Sequence, residues 1–293
     1  MKRHPLLPAH PVYTALLYLC LPAILLRLLW RARRNPGYRQ RWGERFGFGA
    51  GTTRGVIWVH AVSVGEVNVA VPLIQRLKTE FPGTPLLLTT TTPTGSDQAL
   101  RRFGTSVLHR YLPYDAPGAI RRFLNRYQPR FGVILETELW PNLSAACARR
   151  GTPLFLANAR LSDRSFGGYR RLSRTTRRCL RRFQGIFAQS EQDAVRFRDL
   201  GATPVTVRVT GNMKFDDTVD TDPDRQEALQ AALRTANRPV WIAGSSHAGE
   251  EEQLLAAHDR LRETHPDALL ILAPRHPERF SDVTALLEKQ HTP

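Results

Sequence analysis

The stretch VIWVHAVSVGEVNVAVPLIQRLKTE, residues 56–80, decides the fold. It opens on a short run of β-branched and aromatic residues, passes through the small residues AVSVG, and continues as an amphipathic segment. An apolar run of this length followed by a helix-length segment reads as a strand buried on both faces leading into a covering helix. Glu66 stands where that helix begins. A helix start offers unpaired N–H groups and the positive end of the dipole, so a carboxylate there is stabilised as an anion. On residues alone, capping is the favoured reading of Glu66, ahead of catalysis.

The same alternation continues outward. LLLTTTT, SVLHRYLP, FGVILETE, PLFLANA, GIFAQS and VRVTGN each form an apolar run, and most are separated by helix-length segments. That pattern predicts βα units around a parallel sheet, forming a first soluble domain over 35–212. Residues 213–237, with KFDDTVDTDPDRQ and a short helix over EALQAALR, read as a linker. A second α/β pattern over 238–293 begins with RPVWIAGSS and contains two clear strands, fewer than a complete doubly wound domain needs.

Upstream, VYTALLYLCLPAILLRLLW at 12–30 is apolar except for Arg27 and is followed by Arg31, Arg33 and Arg34. It is just long enough to cross a bilayer, for which roughly 20 residues are needed. Residues 1–34 are therefore expected to form a membrane anchor with a basic flank, and the downstream arginines favour a cytoplasmic body. The alternative is a core or interfacial helix. The 293-residue chain carries 42 Lys and Arg against 26 Asp and Glu, a formal charge of +16, which points to anionic partners without choosing among them. GYRRLSRTTRRCLRRF at 168–183 reads as one helix with a core face of Tyr169, Leu172, Thr176, Cys179 or Leu180, and Phe183. Its other face is strongly basic, and beside an apolar anchor an anionic membrane is preferred to nucleic acid. Cys20, Cys147 and Cys179 are widely separated and suggest neither a zinc site nor a disulfide framework.

HAVSVGE at 60–66, TTTTPTG at 89–95, ETELWPN at 136–142, NARLSDRSF at 158–166, GNMKFD at 211–216, GSSHAGEE at 244–251 and APRHPERF at 273–280 together resemble the 3-deoxy-D-manno-octulosonic acid (Kdo) transferase family. The resemblance implies a GT-B architecture of two Rossmann-like domains. It implies an inverting, membrane-associated glycosyltransferase of lipopolysaccharide synthesis at the inner membrane, with its body on the cytoplasmic side. CMP-Kdo would be the donor and a lipid A precursor (lipid IVA) the acceptor, with no cofactor and no nucleic acid. It also implies a further glycine-rich segment carrying an Asn and a Glu of the nucleotide site. The chain stops soon after Phe280, so the second domain is expected to be incomplete. A different membrane-associated GT-B glycosyltransferase, or a non-catalytic remnant that binds anionic membranes, are the alternatives.

With the resemblance, Glu66 becomes the expected general base, taking the proton of a sugar hydroxyl. Glu138 is implied to position the acceptor or support the site. If the strand end stays extended, Glu136 and Glu138 point to the same side and their repulsion raises one pKa. Glu136 reads slightly better as a helix cap. Asn142 is a weaker candidate for function. Arginines such as Arg170, Arg174 and Arg177 are helix-face candidates for holding lipid phosphates. Ser245, Ser246 and Gly249 could offer hydroxyls and N–H groups to a donor phosphate, or Ser246 could cap the following helix. Arg275 is implied to bind the CMP portion, with His276 assisting and Lys214 a further anion contact. His60 and Ser63 read as structural.

Overall fold

The computed structural model describes residues 10–49, 51–216, 227–228, 231, 233, 238–276 and 279–290. The chain divides into two compact units, 1–217 and 218–293.

The first unit is built on a seven-stranded, wholly parallel sheet in the order β3-β2-β1-β4-β5-β6-β7. The strands are β1 (Ile57–His60), β2 (Leu86–Thr90), β3 (Leu108–Tyr111), β4 (Phe131–Leu135), β5 (Leu154–Ala159), β6 (Phe183–Ala188) and β7 (Val207–Val209). Every residue of β1 and β2 is buried, as the unbroken apolar runs demand of strands covered on both faces. The connecting helices are α3 (Val64–Glu80), α4 (Pro93–Phe103), α5 (Pro117–Tyr127), α6 (Pro141–Arg150), α7 (Asp163–Arg171), α8 (Ser173–Leu180) and α9 (Glu191–Asp199), preceded by α1 (Pro11–Arg34) and the single turn α2 (Trp42–Arg45).

One core lies on each face of this sheet. Trp58, Leu87, Phe123, Ile134, Leu143 and Leu156 belong to one, and Ile57, Val59, Ile74, Leu88, Val133 and Leu135 to the other. Alternate residues of β1 thus feed opposite cores, which follows from the period of two along a strand. The strand order turns outward in both directions from the β1–β4 pair. Ligands of open α/β sheets bind beyond the carboxyl ends of the strands at this switch point.

The basic segment departs from the single helix expected over 168–183. It breaks at Leu172, which is exposed, and Phe183 begins β6. The break is stabilised by the Thr176 hydroxyl, which donates to the Tyr169 carbonyl at 3.0 Å. Thr176, Cys179 and Leu180 are buried as expected.

The second unit contains the parallel pair β8 (Val240–Ser246) and β9 (Leu269–Pro274), with helices Glu250–Thr264 and Phe280–Gln290. The short helix expected over EALQAALR falls in good part outside the described residues, as do Pro277 and Glu278.

Candidate active site

Two loops at the carboxyl edge of the first sheet, one after β1 and one after β4, carry the glutamates. The first is set by its own helix. Ser63 takes the N-cap position with extended backbone, and Glu66 lies in the first turn of α3. The Glu66 carboxylate turns back to accept the Val62 N–H at 2.8 Å and lies 3.4 Å from the Ser63 hydroxyl, a variant of the capping box. The TTTTPTG loop supports this turn from beside it. The N–H groups of Thr91 and Thr92 both donate to the Val62 carbonyl, at 3.2 and 3.3 Å. A Cβ at residue 95 would lie 2.9 Å from the Thr92 hydroxyl and 3.2 Å from the Val62 carbonyl oxygen, so Gly95 permits this approach.

Capping and proton chemistry coexist at Glu66. Burial pushes its pKa up to about 7; the Val62 hydrogen bond opposes the rise, and the charges of Glu136 and Glu138 add to it. Glu138 is likewise pushed up to about 7, by burial first and by Glu136 second. The fold therefore brings Glu66, Glu136 and Glu138 into electrostatic contact at the β1–β4 switch point.

The route to this grouping differs from the one expected. β4 ends at Leu135, and Glu136 adopts a left-handed conformation with φ of 57° instead of continuing extended. Its N–H still donates to the Ala157 carbonyl at 3.0 Å, so the chain leaves the sheet by a sharp turn. A non-glycine residue in this region stores backbone strain of about 1–3 kcal/mol, held by its surroundings. Here the Thr137 hydroxyl donates to the Arg160 carbonyl, and the Tyr169 hydroxyl donates to the Thr137 carbonyl at 3.2 Å. Asn158, also left-handed at φ of 52°, accepts the Met213 N–H on its side-chain oxygen at 3.0 Å. The N-terminal N–H groups of α6 are capped by neither Glu136 nor Glu138. Buried Asp115 accepts from Asn142 and Leu143 at 2.9 and 2.7 Å. Asn142 is itself buried and bonded to Thr14 and Asp115. His60, fully buried, bonds to Thr89 through Nδ1, consistent with a structural histidine whose pKa burial lowers to about 4.

The expected donor residues divide between the units. Lys214 belongs to the first, exposed on a short turn capped by Asn212. Ser245, Ser246, Gly249, Arg275 and His276 converge in the second. The Arg275 N–H donates to the Ser246 carbonyl at 3.0 Å, and the His247 and His276 rings meet edge to face at 5.9 Å. Ser245 is left-handed at φ of 62°. The helix Glu250–Thr264 is capped by Gly249 at φ of 88°, not by Ser246, and the Glu250 carboxylate accepts the His247 N–H at 2.7 Å. A depression of about 420 Å³ lined by Ala243, Gly244, Ser246, Glu250, Gln253 and Leu254 opens beside this loop. Arg279 pairs with buried Glu251 at 2.8 Å, tying the loop after β9 to this helix and holding the Glu251 carboxyl below the ordinary range. Glu251 and Arg279 were not among the sequence candidates, although both lie within quoted motifs. Among the described residues, no group of three or more His, Cys, Asp and Glu side chains could hold a metal ion.

Residues 40–217 match the family described as 3-deoxy-D-manno-octulosonic-acid transferase (kdotransferase). A 3-deoxy-D-manno-octulosonic acid transferase of Haemophilus influenzae is 40% identical over 95% of this chain and 66% of its own length. Its counterpart in Bordetella pertussis is 38% identical over 94% of this chain and 66% of its own. The chain thus spans just under two thirds of the length of these relatives. Among solved structures, a UDP-GlcNAc 2-epimerase from Neisseria meningitidis superposes with a TM-score of 0.52 at 15% identity, covering 81% of this chain and 70% of that one. This agrees with the GT-B-type α/β fold expected from the sequence. The chain belongs to the 3-deoxy-D-manno-octulosonic acid transferase family.

Proposed function

We propose that this protein transfers Kdo from CMP-Kdo to a hydroxyl of a lipid A precursor, at the cytoplasmic face of a bacterial inner membrane. Family membership supports the reaction, and the cluster of Glu66, Glu136 and Glu138 at the sheet's switch point supports the chemistry. A carboxylate with a pKa of about 7 suits a base working near neutral pH. Glu66 takes the acceptor hydroxyl proton as that oxygen attacks the anomeric carbon, and the bond to the CMP phosphate oxygen breaks with its electrons leaving on CMP. Direct displacement inverts the anomeric centre.

Glu138 keeps the electrostatic environment of Glu66 and orients the acceptor. In the second unit, Arg275 offers a planar cation to the phosphate of CMP, and Ser245, Ser246 and the Gly249 turn supply polar groups around it. Lys214 and His276 are the further candidates for donor contacts. The acceptor's phosphates are held by exposed arginines of α7 and α8, among them Arg170, Arg174 and Arg177.

Purified protein given CMP-Kdo and a phosphorylated, acylated glucosamine disaccharide is expected to release CMP and yield a Kdo-bearing lipid, read by mass spectrometry. Transfer only from a different nucleotide sugar would overturn the assignment. Arg275→Ala is expected to raise the donor KM roughly ten- to hundredfold through loss of a charged hydrogen bond. An unchanged donor KM would remove Arg275 from the donor site.

A further inference from the structure

The apolar N-terminal helix is long enough to cross a bilayer and most of its surface is exposed, yet one narrow stripe of it is covered by the protein. At ~1.5 Å per residue, the 24 residues of α1 extend about 36 Å. Thr14, Leu17, Leu21, Ile24, Leu28 and Ala32 follow one another at helical spacing, and each is buried or half-buried. The opposite face, Val12, Leu16, Leu19, Leu26 and Trp30, is exposed at the same spacing. The covered stripe is narrow, buried at Thr14, Leu28 and Ala32 and half-buried at Leu17, Leu21 and Ile24, and the open side is broad.

Polar bonds tie the helix down at its N-terminal end. Thr14 and Asn142 exchange side-chain hydrogen bonds at 3.0 and 3.2 Å, and Asn142 also donates to the Asp115 carbonyl at 2.8 Å. Tyr13 reaches the Asp115 carboxylate. Arg182 lies 2.9 Å from His10. At the other end, Leu28 and Ala32 are buried, and the Arg31 guanidinium lies over the Tyr38 ring at 5.8 Å. Both ends of the helix are therefore bound within the first unit. Crossing the hydrocarbon, ~30 Å thick, would draw the adjoining body and its arginines into the lipid.

Basic residues lie near both ends of the helix. Arg178 and Arg182 act on His10 at the N-terminal end, and Arg27, Arg31 and Arg33 are exposed toward the other. An apolar stripe with basic residues at each end is complementary to one leaflet of an anionic membrane.

We infer that α1 lies flat in the headgroup–acyl boundary of an anionic bilayer, presenting the Val12–Trp30 stripe to lipid, and that the Thr14–Asn142–Asp115 bonds lock it to α6. The inference rests on the membrane-associated reading above and deepens it. Because α6 begins immediately after the loop bearing Glu136 and Glu138, the lock sets the height of that loop above the lipid surface.

The test uses the intact protein on vesicles and reads no sugar transfer, so it fails independently of the proposed reaction. With exposed Cys20 changed to Ser, single cysteines at Val12, Leu19 and Trp30 carry a depth-sensitive spin label. An in-plane helix places all three at similar shallow depth, and all three are reached by an aqueous relaxant added outside the vesicles. Leu19 near the bilayer centre with Val12 reached only from the vesicle interior would overturn the inference. Leu16→Glu combined with Leu19→Glu, both on the exposed face, is expected to weaken flotation with phosphatidylglycerol-containing vesicles at least tenfold while the circular dichroism spectrum is retained. Unchanged flotation would also overturn it. Replacing anionic by phosphatidylcholine vesicles is expected to weaken binding of the unmodified protein roughly a hundredfold, from about three arginines near the surface; equal binding would remove the anionic requirement. Asn142→Ala is expected to leave binding in place but change the depth at Val12 relative to Trp30, and no change there would overturn the lock.

Discussion

Glu66→Gln is expected to lower kcat/KM for Kdo transfer roughly 10²- to 10⁴-fold with little change in donor binding, because the amide cannot accept the acceptor's proton. Its shape is kept and its carbonyl oxygen can still accept the Val62 N–H, so the α3 turn survives. The pH dependence separates chemistry from structure. With Glu66 at about 7, kcat/KM of the unmodified protein is expected to rise about tenfold per pH unit below 7 and to level off above it. The Gln variant loses that limb. Glu138→Gln removes one of the charges that raise Glu66, and it should move the limb to lower pH. Stability changes in the opposite sense. The folded pKa of Glu66 lies above its ordinary 4.5, so the folded state favours the proton. Below about 4.5 the group is neutral in both states and costs nothing. Between 4.5 and 7 the unfolded chain ionises first and stability falls, and above 7 the cost is complete. Glu66→Gln should therefore gain stability relative to the parent across that window. Near-normal turnover, or an unaltered pH limb, would show that Glu66 is only a helix cap.

Much of this was legible because the physics of a doubly covered sheet leaves a dense mark in sequence. All seven strands of the first unit coincide with apolar runs, since parallel strands covered on both faces are predominantly apolar, and buried polar residues such as His60 and Thr89 are bonded to each other within the sheet. Glu66 was legible because a strand-to-helix turn has local rules. Other features depend on distant parts of the chain. Asp115 reads as an ordinary loop residue until the fold places it at the N-terminus of α6, 27 positions further on. The reversal at Glu136 leaves no local signal, because the left-handed backbone is held by a threonine and a tyrosine from the same edge. The break at Leu172 was hidden by a helical period that continues across it. In the second unit, hydroxyl-rich GSSHAGEE suggested a serine cap, whereas the turn required a left-handed residue and placed Gly249 there.

The second large effect concerns how β1 and β4 are held side by side, since both site loops leave from them. Trp58 pairs in register with Gly132, and its indole occupies the space that a side chain at 132 would fill. A Cβ there would lie 2.5 Å from Trp58 Cε3 and 2.8 Å from Leu154 Cδ2. Trp58 is fully buried, donates its indole N–H to Thr89 Oγ1 at 2.8 Å, and meets Phe123 edge to face at 5.3 Å. Trp58→Ala should therefore cost the first unit about 3–5 kcal/mol by opening a cavity. Gly132→Ala should cost about 1–3 kcal/mol by overpacking. The two losses have one geometric cause, so they must not add. With the indole removed, the methyl at 132 meets only the end of the Leu154 side chain, which can shift into the vacated space, and Gly132→Ala should cost much less than in the parent. Hydrogen exchange of the β1 and β4 amides reads this locally, without requiring the whole chain to unfold in one step. Additive losses would mean that the indole does not abut residue 132. Strong coupling would establish that a missing side chain in β4 and a large one in β1 jointly set the spacing of the strands from which the loops bearing Glu66 and Glu136 emerge.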